Sequence, residues 1–60
     1  MSKKQIAAGQ VRSLRALRKK LQQMSAQWSD VDEFNVRLLD DLADRVEDVA
    51  VNLLEEQEDV

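Results

Sequence analysis

Apolar residues recur along most of this chain at alternating steps of three and four. Leu14, Leu17, Leu21, Met24 and Trp28 form one such series, and Leu39, Leu42, Val46, Val49 and Leu53 form a second. At about 100° per residue each series occupies a narrow sector of a helix, the spacing of an a/d seam in a coiled coil. Ile6 and Ala7 extend the first stripe backward, and Val11 widens one flank. Leu38, Ala43 and Ala50 broaden the second beyond what a single antiparallel neighbour covers. The two stripes are the predicted core and dimer seam. The pattern predicts one domain, 1–60, with helix 1 over about 3–28, a turn at about 29–30, helix 2 over about 30–56 and a frayed acidic tail at 57–60. Folding at the turn brings Leu21 to Leu38 and Leu39, Leu17 to Leu42, Leu14 to Val46, and Gly9 to Ala50, with Val31 and Phe34 near Trp28. The fold class is therefore all-α: a two-helix antiparallel hairpin, two copies of which pair into a homodimeric four-helix bundle.

Polar residues punctuate this pattern. Ser2-x-x-Gln5 has the spacing of a capping box, in which side chains satisfy backbone N–H groups that lack an intrahelical partner. Asp30-x-x-Glu33 offers the same device at the second helix, with Ser29-x-x-Asp32 as a weaker version. Gly9 costs about 1 kcal/mol in a helix interior, so it marks the start of firm helix or a close backbone approach. Gln10 and Asn35 interrupt the seams and are candidates for fixing register.

Charge sharpens the division at the bend. Residues 1–28 hold seven Lys and Arg and no acid, whereas residues 29–60 hold twelve acids against Arg37 and Arg45, so the halves carry +7 and −10. Halves of opposite sign suit an antiparallel hairpin or a meeting with a second copy. Arg12, Arg15 and Lys19 fall on the back of helix 1, a candidate basic face for nucleic acid or a protein partner. Arg18 and Lys20 flank the seam, within reach of acids on helix 2. Glu33, Asp40, Asp44 and Glu47 form a candidate acidic partner face, and Arg37, Asp41, Arg45 and Asp48 form an i, i+4 ladder along one flank.

The composition also excludes much chemistry. The chain has no Cys, His or Tyr, and its four serines have no base placed beside them. No catalytic, cofactor-binding or metal site is expected, and no small-molecule substrate. The carboxylate pairs Asp40/Asp44 and Asp44/Asp48 lack the loop and glycine of a calcium site. Met1-Ser2-Lys3-Lys4 begins like a signal peptide but no apolar run follows it, and nothing approaches a membrane span. A cytoplasmic protein without membrane contact is expected. At 60 residues, with neither disulfide nor zinc available, association is the remaining stabilising device.

The bend sequence Asp30-x-Asp32-Glu33, together with the chain length, resembles the Rop family of small plasmid-encoded RNA-binding proteins. That resemblance implies a dimer of hairpins and favours RNA binding; none of the family's RNA-contacting positions can be matched here. The residues themselves point to a non-enzymatic interaction module, an adaptor or regulator that binds a protein partner as a homodimer. Compact charged hairpins of this kind are common among phage or plasmid accessory proteins. The alternative is a nucleic-acid-binding regulator using Arg12, Arg15 and Lys19. A lesser one is an acidic nucleic-acid mimic that inhibits a host protein.

Overall fold

The computed structural model describes residues 2–58 and contains two helices, α1 (Lys3–Gln27) and α2 (Glu33–Glu58), folded against each other as a hairpin. No strand occurs among the described residues. The Cα envelope measures 47 × 16 × 10 Å, a slab two helices wide and one helix thick. Its radius of gyration is 14.1 Å, against about 10 Å for a compact chain of this length.

Ser2 starts α1 as its spacing predicts. Its Oγ accepts the Gln5 N–H at 3.1 Å, and the Gln5 side chain accepts the Ser2 N–H at 3.1 Å. Both orphan donors are satisfied reciprocally. Gly9 neither starts the helix nor meets a backbone: a Cβ built there has no neighbour within 4 Å.

The bend is longer than the sequence reading gives. α1 ends at Gln27 with Trp28 as its C-cap, and the reversal occupies residues 28–32. The N–H groups of Val31 and Asp32 both donate to the Trp28 carbonyl at 2.9 Å. Asp30 sits in the left-handed region with φ 67°, which Asp tolerates better than most residues. Neither Ser29 nor Asp30 caps α2. Asp32 does, its carboxylate accepting the Phe34 N–H at 3.0 Å and the Asn35 side-chain amide at 3.2 Å. Three residues are needed to turn before a cap can form, so α2 begins at Glu33. Asn35 thus has work inside one chain, bracing the cap. α2 continues to Glu58, past the predicted end at 56; Asp59 and Val60, from the predicted frayed tail, lie outside the described residues.

The seam inside the hairpin is rotated from the predicted one. On α1 it is Ala7, Val11, Leu14, Arg18, Leu21 and Ser25; on α2 it is Val36, Leu39, Ala43, Val46, Ala50 and Leu53. All twelve are buried or half-buried, with Ala43 and Ala50 only 2% and 0% exposed. Of the ten residues in the predicted stripes, Leu14, Leu21, Leu39, Val46 and Leu53 join this seam, whereas Leu17, Met24, Trp28, Leu42 and Val49 remain exposed. Small residues allow close approach of the two backbones, and this hydrophobic contact is thin. Among the described residues no large side chain is fully buried.

Two contacts between the helices mark the register. Ser25, itself buried, donates its Oγ to the Val36 carbonyl at 3.3 Å, and Arg15 reaches Glu47 at 3.5 Å. Positions therefore lie level when their numbers sum to about 61 or 62. The expected levels Leu21 with Leu39 and Leu14 with Val46 follow closely. Gly9, by contrast, faces open space rather than Ala50.

Candidate interaction surface

The exposed large residues form the second side of the same helices. At about 100° per residue, Leu17, Met24 and Trp28 lie some 60–100° to one side of the α1 seam. Leu38, Leu42 and Val49 lie about 70–110° from the α2 seam in the same rotational sense. Because α2 runs antiparallel to α1, equal-sense rotations carry both stripes to the same side of the slab. Leu14, Leu21, Leu39, Val46 and Leu53 border both seams, which is why one broad stripe contains them all.

The result is one apolar face running across both helices. Ile6 carries it toward the open end, and Trp28, Val31 and Phe34 carry it around the bend. Val31 and Phe34 are 72% and 65% exposed, so they do not close the hairpin end over Trp28 as the sequence predicts, and the tip stays largely uncovered. A recess of about 180 Å³ lies at the α2 edge, lined by Leu38, Asp41, Leu42 and Arg45. A contiguous apolar surface of this kind, rimmed by polar residues, is the mark of a contact site.

The accessible surface is 4868 Å², whereas a compact folded chain of this mass exposes about 4,000 Å². The excess of about 900 Å² reflects the thin, elongated hairpin and is spread over its apolar and charged sides alike.

Opposite this face lies a charged one. The candidate basic residues Arg12, Arg15 and Lys19 are all exposed on α1, as are Glu33, Asp40 and Asp44 on α2. The two candidate faces are not independent, since Arg15 of one pairs with Glu47 of the other at 3.5 Å. Arg18 occupies the seam itself and approaches Glu47 at 4.0 Å, too long for a hydrogen bond. Its Nε and the Glu47 Oε1 find no hydrogen-bond partner. Among the described residues these are the only ion pairs, so the predicted ladder of Arg37, Asp41, Arg45 and Asp48 is not closed. Lys20 reaches no acid among the described residues, and Gln10 is exposed.

Sequence reasoning missed the small-residue seam. Its signal was present: Ala7, Val11, Leu14, Arg18, Leu21 and Ser25 also step by four and three. A hydropathy ranking passes over it because the seam includes an arginine, a serine and an alanine. Among the described residues no three carboxylates converge to hold a metal ion, and no helix is long and apolar enough to cross a membrane. Comparison with protein-family models, curated proteins and solved structures finds no match to this chain.

Proposed function

We propose that this chain is a non-enzymatic interaction module that acts as a homodimeric four-helix bundle, with a second copy covering the apolar face. The observation that carries this reading is the single apolar surface shared by α1 and α2, from Ile6 through Leu17 and Leu42 to the bend. Among the described residues a lone hairpin leaves nine large apolar residues of this face and its bend more than a third exposed, which water disfavours. A second copy supplies an identical apolar face, and pairing the two is the isologous arrangement most homodimers use.

Pairing in this way leaves the charged face outward, available to a protein partner in an adaptor or regulatory role. Among the described residues Arg15 of the basic strip pairs with Glu47 while Arg12 and Lys19 have no ion-pair partner, so the nucleic-acid alternative rests first on those two cations. The same contact interrupts the acidic strip proposed as a nucleic-acid mimic.

Sedimentation equilibrium tests the dimer, and capture from lysate with and without nuclease tests the partner. A concentration-dependent dimer retaining one protein after nuclease treatment supports the proposal. A monomer overturns the dimeric part. Nucleic acid retained, and lost when Arg12 and Lys19 are replaced by Ala, transfers the function to the nucleic-acid reading.

A further inference from the structure

We infer that the two copies pair with their bends at the same end of the bundle, so that each α1 lies between two α2 helices. This inference rests on the homodimer proposed above and specifies how its surface is used.

Two symmetric ways exist to lay one apolar face on another. With the two-fold axis along the helices, α1 covers the partner's α2 and both bends meet. With the axis across the helices, α1 covers the partner's α1 and the bends lie at opposite ends. Helix directions do not decide between them, since every neighbouring pair is antiparallel in both.

Charge decides. α1 and its flanking residues carry seven cations and no acid, and the chain beyond Trp28 carries twelve acids against two arginines. The second arrangement sets basic helix on basic helix and acidic on acidic along the bundle. The first gives every helix two neighbours of opposite sign, a checkerboard.

The face edges agree in detail. Lys20 lies on the α1 edge of the apolar face and has no ion-pair partner among the described residues of its own chain. Asp41 lies on the α2 edge, equally unpaired, and the hairpin register puts it level with position 20. Under the first arrangement the partner's α1 therefore brings its own lysine to the recess formed by Leu38, Asp41, Leu42 and Arg45. Its methylenes lie over Leu38 and Leu42 and its ammonium reaches Asp41, an ordinary mode of burial for a long cationic side chain. The two-fold axis makes two such pairs. At the shared end, both copies of Trp28, Val31 and Phe34 gather into one apolar cap, covering the most exposed large residues of the chain.

Because the sequence contains no Cys, single labels report this geometry directly. Spin labels on Ser29→Cys, at the bend, and separately on Lys3→Cys, at the open end, give the two end-to-end distances. Both residues are exposed, so neither label disturbs the seam. Bends together predict a short distance at both sites, on the order of 20 Å, about a bundle diagonal. Bends apart predict distances at both sites approaching the 47 Å length of the hairpin. Long distances in a sedimenting dimer overturn this inference and leave the dimer standing. A monomer overturns the dimer itself. In the checkerboard, Lys20→Glu or Asp41→Lys alone weakens association several-fold, and the double exchange restores it; failure of the double exchange to restore it rules out the pairing at this edge.

Discussion

Leu42 gives the sharpest test of whether the apolar face is covered. Its side chain is 47% exposed in the hairpin, so about half of its transfer free energy is already realised against α1. Full burial of a leucine is worth about 1.5–3 kcal/mol. The unrealised half is on the order of 1 kcal/mol per copy, or about 2 kcal/mol per dimer. Leu42→Ala should therefore raise the dissociation constant roughly 30-fold, and more if the partner cannot collapse into the vacated space. Alanine is the better helix former, so α2 itself is not weakened. Sedimentation equilibrium measures the association, and thermal unfolding across a hundredfold range of concentration measures it independently, since a dimer's Tm rises with concentration. Val51→Ala is the control: Val51 is also partly exposed but lies on the opposite flank of α2. The reasoning fails if Tm is independent of concentration, or if the two substitutions change association equally.

Three further outcomes follow from local geometry. Asp32→Ala removes the acceptor for the Phe34 N–H and the Asn35 amide, and should cost about 1 kcal/mol in chemical denaturation; Asp30→Ala, although Asp30 is the cap residue of the predicted capping box, should not reproduce that loss through the cap. Gly9→Ala should stabilise by about 0.8–1 kcal/mol, since the added methyl meets no atom; a loss of stability would mean that this surface is occupied. Arg18→Leu removes a seam charge whose Nε is unsatisfied, and should leave stability unchanged or raise it by about 1 kcal/mol. Glu47→Ala, which leaves Arg18 without its acid, should instead lower stability measured by the same denaturant titration.

How much of this was legible in the sequence differs from residue to residue. Helix periodicity, the position of the bend and the Ser2–Gln5 cap are local properties, and local spacing encodes them. The face that α1 turns toward α2 is not local. Two overlapping stripes share Leu14 and Leu21, and either satisfies a three–four repeat. Hydropathy favours the stripe with Leu17 and Met24, whereas close backbone approach favours the one with Ala7 and Ser25. The structure places the small residues inside the hairpin and leaves the large ones for the surface that a second copy is proposed to cover. Capping failed for a related reason. Asp30 and Asp32 are interchangeable by residue type, and only the length of chain needed to reverse direction, with its single left-handed residue, selects Asp32. A helical wheel treats each helix alone and so sets Arg15 and Glu47 on separate faces, although the hairpin brings them together.

The cross-links of the hairpin also set an order in time. Ser25 and Val36 are 11 residues apart, and Arg15 and Glu47 are 32 apart. The longer closure costs about 1 kcal/mol more in chain entropy, so the two helices zip outward from the bend, each rung shortening the loop that the next must close. Changes at Ser25 or Asp32 should then slow folding, whereas changes at Ala7 or Val11 should mainly hasten unfolding. On this reasoning the bend should act as the nucleus of the hairpin and the open end should yield first, which folding rates of Ser25→Ala set against unfolding rates of Val11→Ala would test.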